Sequence, residues 1–208
     1  MKLKVCGLKH PKNIREVAEQ HPDFMGFIFY NKSSRFIDNI DLTAVLAEIS
    51  PAIIKTGVFV NEEESNIKDL IIAYGLGAVQ FHGNETPEFC GNFKKTALKV
   101  IKAFGIREAS DFNDIKKYEG SCDYFLFDTK TQKYGGSGES FDWELLEFYT
   151  GQTDFLLSGG IGFDDLEEIQ KISHSRFVGI DVNSGFEIEV ALKDIELIKR
   201  LTLALNRD

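Results

Sequence analysis

The chain has 208 residues and a mass of 23.5 kDa, enough for one domain with a substantial core. Hydrophobic residues make up 43% and charged residues 27%, which excludes a disordered composition. With 24 basic against 33 acidic residues the net charge is −9 and no Lys or Arg cluster interrupts it, so nucleic acid is excluded as a partner while small anionic ligands stay open.

The longest apolar runs, such as Phe24–Tyr30, are too short to span a bilayer, and the N-terminus lacks the apolar stretch of a signal peptide. Three widely spaced cysteines, Cys6, Cys90 and Cys122, argue for a reducing cytoplasm and against a disulfide scaffold.

Apolar runs alternate with amphipathic, charge-rich segments from end to end. Leu3–Cys6 reads as the first strand, and Pro11 opens a helix over Lys12–Gln20. Phe24–Phe29 follows, with Asp41 capping Leu42–Ile49. Ile53–Val60 leads through Asn61 and the acidic Glu62–Glu64 into an apolar-periodic Ile67–Tyr74. Ala78–Phe81 precedes Pro87–Lys95, a helical segment interrupted by Gly91 and Asn92. Leu98–Phe104 precedes Phe112–Tyr118, opened by Ser110 and Asp111. Tyr124–Phe127 pairs with Phe141–Tyr149, Phe155–Leu157 with Asp164–Ile172, and Phe177–Ile180 with Val190–Leu205.

The strand runs are mostly continuous and not alternating, as in parallel strands covered on both faces. Eight strand–helix repeats, at about 26 residues each, predict an α/β fold closed as a (βα)8 TIM barrel, a single domain over residues 1–208. An open doubly wound sheet is the alternative, but eight regular units with no surplus strand fit closure better. No Pro- or Ser-rich linker divides the chain.

In such barrels the active site lies on the loops after the strands. The strand ends here carry Cys6-Gly7-Leu8-Lys9, Asn31–Arg35, Asn61, His82-Gly83, Asp128-Thr129, Ser158-Gly159-Gly160 and Asp181–Gly185. Gly159 and Gly160, with Ser184 and Gly185 one unit later, could direct backbone N–H groups at a phosphate; singly they could equally make tight turns. Gly135–Gly138, with Lys130, Lys133 and Tyr134 nearby, reads as a ligand-facing loop or a plain connection.

Asp128 emerges from an apolar strand into the barrel mouth, the setting of a general acid. Cys6, beside the space opened by Gly7, would be a competent base as a thiolate, its unperturbed pKa of about 8.5 needing only modest lowering; a small buried hydrophobe is the other reading. Arg35 offers a bidentate fork to a carboxylate or phosphate, or a solvated loop charge. His82 could bond a ligand or the neighbouring loop. The histidines and cysteines show no metal-ligand spacing and no dinucleotide or P-loop fingerprint is present, so neither a metal nor a nicotinamide cofactor is expected.

These residues resemble the phosphoribosylanthranilate isomerase family of tryptophan biosynthesis. The matching segments, in order over nearly the whole chain, begin with Lys4-Val-Cys-Gly-Leu, Gly26-Phe-Ile-Phe with Ser33-Ser-Arg35, Gly57-Val-Phe-Val-Asn61 and Val79-Gln-Phe-His-Gly83. They continue with Phe127-Asp-Thr129, Gly135-Gly-Ser-Gly138, Phe141-Asp-Trp143, Ser158-Gly-Gly160, Asp181-Val-Asn-Ser-Gly185 and Lys193-Asp194.

The resemblance implies a (βα)8 barrel that converts N-(5′-phosphoribosyl)anthranilate into 1-(o-carboxyphenylamino)-1-deoxyribulose 5-phosphate by an Amadori rearrangement, the third step from chorismate to tryptophan. It implies Cys6 as general base, Asp128 as general acid, Arg35 facing the anthranilate carboxylate, and Gly160, Ser184 and Gly185 in the phosphate loops. Ser34, Asn84 and Asn183 depart from family usage without removing a catalytic group, and Ser34 leaves the Arg35 loop less preorganised. Two other readings are a related barrel isomerase acting on the histidine-pathway aminoaldose and a catalytically silent sugar-phosphate sensor. Cys6 speaks against the first, and the thiol–carboxylate pair against the second. A monomer or homodimer is expected; Phe186, Ile188 and Val190 could line a dimer interface or the barrel wall.

Overall fold

The computed structural model describes residues 1–38, 40–129 and 141–205. Eight parallel strands close into a barrel: β1 (Lys2–Val5), β2 (Phe24–Ile28), β3 (Ile54–Phe59), β4 (Ala78–Phe81), β5 (Lys99–Ile106), β6 (Tyr124–Thr129), β7 (Phe155–Leu157) and β8 (Phe177–Val182). Each pairs with its neighbour in sequence, and β8 returns to β1 with Lys4 opposite Asp181. Around them stand α1 (Pro11–Ala18), α2 (Thr43–Glu48), α3 (Glu64–Tyr74), α4 (Pro87–Lys94), α5 (Leu166–Lys171) and α6 (Ile195–Ala204).

Alternation along the strands separates two apolar layers. One face of β5 to β7 sends Ile101, Ala103, Leu126 and Leu156 into the barrel, where they meet Phe24. The other face packs outward on the surrounding segments. Behind β6 and β7, Phe127 lies 4.7 Å from Phe155 and 5.1 Å from Tyr149, ring centre to ring centre, and Phe112 meets Phe127 edge-on at 5.3 Å. Truncating a ring such as Phe127, fully buried at this seam, costs roughly 3–5 kcal/mol.

The interrupted Pro87–Lys95 segment is helical over Pro87–Lys94, because Thr86 accepts from the Phe89 N–H (3.2 Å) and Gly91 meets only Ser121. Two other expected helices differ in type. Instead of one helix over Phe112–Tyr118 there are two 3-10 turns, Ala109–Phe112 and Ile115–Tyr118, and Phe141–Tyr149 forms a 3-10 segment over Trp143–Phe148.

The run Val190–Leu205 divides. A small antiparallel hairpin, β9 (Glu187–Glu189) and β10 (Leu192–Lys193), turns at Ala191 with φ 66°, and Asp194 caps α6 by accepting from the Leu197 N–H at 3.0 Å. Among the described residues there are therefore two strands beyond the eight barrel strands, contrary to the sequence expectation. Phe186 is buried in the core, whereas Ile188 and Val190 are exposed on this hairpin. Among the described residues no helix is long and apolar enough to cross a membrane.

Candidate active site

All the candidate residues at strand ends fall at the C-terminal mouth of the barrel. Cys6 follows β1, its N–H donating to the Val182 carbonyl of β8 at 2.9 Å. Its side chain turns inward because Gly26 on β2 leaves room: a methyl at Gly26 would stand 2.6 Å from the Cys6 sulfur. Gly7 then adopts φ 78°, a left-handed conformation natural to glycine, and the space above it is filled by Arg35 and Asn183.

Lys4, two residues before Cys6, shares its inward face. It is fully buried and donates to Asp181 at 2.9 Å, and its charge acts on the nearby Cys6 thiol. Burial pushes the Cys6 thiol up, against the expected modest lowering; the Lys4 ammonium opposes that shift without cancelling it. Burial likewise pushes Asp181 up from the ordinary carboxylate range, with Lys4 pulling back.

Asp128 lies across the mouth on β6. Its Oδ1 accepts from the Thr129 N–H (2.8 Å) and its Oδ2 lies 3.4 Å from His82 Nε2. His82 Nε2 thus stands beside the acid candidate. Gln80 Nε2 is 3.3 Å from His82 Nδ1, on the far side of the ring. The loop carrying His82 is held by Glu85, which accepts from the Asn61 and Gly83 N–H groups at 2.8 and 2.9 Å. Lys102, buried 3.4 Å from Glu85, donates to the Gly83 carbonyl at 2.8 Å.

Arg35 presents Nε and Nη2 to the two oxygens of Glu187 at 2.8 and 2.6 Å. Its fork therefore meets an internal carboxylate, leaving Nη1 outside that pair. Lys193 Nζ joins the same carboxylate at 2.6 Å and reaches Asn183 Oδ1 at 2.7 Å. Although burial acts the other way, these two cations hold Glu187 below the ordinary carboxylate range.

Gly159 and Gly160 follow β7 with φ 87° and 66°. A side chain at Gly159 would run into Thr129 and stand 2.8 Å from Asp128 Oδ1, so this glycine sits directly against the acid candidate. Ser184 and Gly185 open a 3-10 turn after β8, and Gly185 packs on the Ile161 carbonyl, bringing the two glycine loops together. Lys130, Lys133, Tyr134 and Gly135–Gly138 lie outside the described residues. Cys90 and Cys122, away from the strand ends, are buried and free of disulfides.

Sequence reasoning did not single out Lys4, Gln80, Glu187 or Lys193 as members of the site. For Lys4 a signal existed: a charged residue at the i−2 position of an inward cysteine must itself face the barrel interior.

Comparison with known proteins places this arrangement in context. Residues 3–203 match the family described as N-(5′-phosphoribosyl)anthranilate (PRA) isomerase. The N-(5′-phosphoribosyl)anthranilate isomerase of Parabacteroides distasonis is 47% identical over 202 residues, covering 96% of this chain and 90% of that one. The crystal structure of phosphoribosyl anthranilate isomerase from Thermotoga maritima superposes with a TM-score of 0.87 at 33% identity, covering 99% of this chain and 98% of the other. A further structure of such an isomerase, in complex with reduced 1-(o-carboxyphenylamino)-1-deoxyribulose 5-phosphate, gives 0.85 at 30% identity, with coverage of 99% and 98%.

Proposed function

Because the chain belongs to the N-(5′-phosphoribosyl)anthranilate isomerase family, we propose that its barrel mouth runs the Amadori rearrangement with Cys6 as general base and Asp128 as general acid. The protein is an isomerase of tryptophan biosynthesis, and its substrate is a small phosphorylated aminoaldose. The observation that carries the residue roles is the placement of an inward thiol and an inward carboxylate on opposite sides of one mouth, the carboxylate beside His82.

The chemistry follows from those positions. A protonated Asp128 delivers its proton to the furanose ring oxygen while the anthranilate nitrogen lone pair expels that oxygen, giving an open-chain Schiff base. The Cys6 thiolate then removes the C2 proton, leaving an enolamine that tautomerises to the ketone. Arg35, steadied by Glu187, turns its remaining N–H groups to the anthranilate carboxylate. Backbone N–H groups around Gly159, Gly160, Ser184 and Gly185 take the phosphate, so a chain with net charge −9 binds a dianion through local dipoles. His82 borders the acid.

The whole chain acts as one catalytic barrel in this reading. Three free, buried thiols suit a cytoplasmic location. The test is turnover of freshly made phosphoribosylanthranilate, followed by loss of its fluorescence. Cys6→Ala and Asp128→Asn should each lower kcat by about a hundredfold or more. Near-wild-type turnover in both would remove the role assignment.

A further inference from the structure

His82 stands between two polar side chains, one at each ring nitrogen. Its Nε2 is 3.4 Å from Asp128 Oδ2, and its Nδ1 is 3.3 Å from Gln80 Nε2. Gln80 lies opposite Ile101 in the β4–β5 register, and Ile101 points into the barrel. Gln80 and His82, two residues apart, therefore share the inward face, while Val79 and Phe81 pack on the outer layer. The backbone leaves the ring little latitude. The His82 N–H donates to the Phe59 carbonyl at 2.9 Å, and Lys102 Nζ reaches the carbonyls on either side, Phe81 at 3.3 Å and Gly83 at 2.8 Å.

What the backbone does not fix is which ring nitrogen carries the proton of the neutral imidazole. Resting on the reading of Asp128 as the acid, we propose that Gln80 is a positioning residue that makes this choice. Its amide N–H donates to Nδ1, so Nε2 carries the proton and aims it at Asp128.

The donor pattern around Asp128 calls for that tautomer. Once its proton has gone to the ring oxygen, Asp128 is a carboxylate and accepts at both oxygens. Oδ1 receives the Thr129 N–H at 2.8 Å, and His82 Nε2–H is in place for Oδ2. The other tautomer would set a bare ring nitrogen against that oxygen, acceptor facing acceptor. The N–H stabilises the charge that grows on Asp128 as the proton leaves, so it acts in the transition state more than on the bound substrate. A protonated Asp128 keeps lone pairs for both donors, and the same contacts serve before and after the transfer.

The far end of Gln80 is an independent observation. The residue is 1% exposed, and its Oε1 is buried with no hydrogen-bond partner among the described residues. An unpaired buried acceptor is unfavourable, and an apolar side chain of similar size would avoid it. Packing alone therefore does not account for an amide here, whereas the bond to Nδ1 does. Turning the amide over would place Oε1 on Nδ1, which would demand a proton there and strip Nε2 of its own.

The test has a spectroscopic and a kinetic arm. In protein isotope-labelled on its histidine ring nitrogens, the NMR signals of His82, identified by their loss in His82→Asn, should show a pyrrole-like Nε2 and a pyridine-like Nδ1. A proton on Nδ1 overturns the proposal. Gln80→Met keeps the stem and removes the donor, so kcat should fall about tenfold while KM changes by less than about twofold. In the His82→Asn background the same change should leave kcat within about twofold, because the ring through which Gln80 acts is gone. Losses that multiply in full, an unaltered kcat in Gln80→Met, or a loss carried by KM instead would each overturn the role. Should Gln80→Met fail to fold, Gln80→Leu takes its place, and the ring resonances of the unaltered protein decide in either case. Asp128→Asn separates this role from the reading beneath it. If that variant keeps its turnover, the acid assignment falls and the positioning role with it; if it loses turnover while Gln80→Met does not, the positioning role falls alone.

Discussion

Removing Lys4 gives a stability effect whose pH dependence can be worked from the structure. Lys4→Met keeps the stem and deletes the charge, leaving Asp181, only 6% exposed, without its 2.9 Å partner. Breaking a buried ion pair on one side costs about 3–5 kcal/mol, because the surviving charge stays desolvated. For a domain of this size that corresponds to a fall in Tm on the order of 10 °C. The stranded carboxylate escapes the penalty by taking a proton, so its folded-state pKa lies further above its unfolded value of about 3.9. Where the folded form binds the proton and the unfolded form does not, lowering the pH favours folding. Wild-type Asp181 is itself raised, so the deficit should shrink, by up to about 1.4 kcal/mol per unit, as pH falls from the variant's folded value to the lower wild-type one. Urea unfolding between pH 5 and 8 measures this, with Lys4→Met/Asp181→Leu as the companion expected to regain most of the loss. A deficit that stays constant with pH, or that the companion fails to recover, would refute the account of a costly lone carboxylate.

Glu187→Gln should raise KM by about tenfold while changing kcat little, since it loosens the Arg35 fork without touching Cys6 or Asp128; an equal fall in kcat would count against a binding role for Arg35. Gly159→Ala, at φ 87° and pressed against Asp128, should lower kcat/KM by about tenfold or more, whereas Gly120→Ala, at φ 80° with nothing within 4 Å, should cost only about 1–2 kcal/mol of stability and leave kinetics alone. Glu119 is held below the ordinary carboxylate range by hydrogen bonds from Thr153, Gln152 and Tyr149, which outweigh its burial. Its contribution is present above the unfolded pKa and lost as pH falls through the lower folded value, so Glu119→Gln should narrow its stability gap to wild type on acidification. Denaturant midpoints at pH 3 to 7 check the sign.

The barrel was legible because parallel strands buried on both faces must be written as short apolar runs. Ala78–Phe81 and Phe155–Leu157 coincide with β4 and β7 for that reason. Helix type was not legible where Ile115–Tyr118 and Trp143–Phe148 lie, because the apolar spacing of a 3-10 turn and of a single α-turn overlap over so few residues. Val190–Leu205 reads as one amphipathic stretch, yet Asp194 is a capping residue in mid-run and marks where the hairpin yields to α6.

In the site, strand-end position alone selected Cys6, Asp128, Arg35 and His82. Partners distant in sequence left no such mark: Glu187 stands 152 residues from Arg35, and only closure of the barrel brings them together. The direction of the thiol shift was also beyond the sequence, since it depends on how fully Cys6 is buried and on how much of that Lys4 offsets.

The seam between β1 and β8 has a consequence for biosynthesis. Lys4 and Asp181, 177 residues apart, meet only when the last strand docks on the first. During synthesis the candidate base and the lysine beside it are made 177 residues ahead of that lysine's counter-ion. Until β8 arrives, closing β1 into a dry interior is electrostatically unfavourable, so the early units stay open to water. Enzymatic competence therefore comes late and all together, and a truncated product ending before residue 181 would hold most of a barrel and none of its activity.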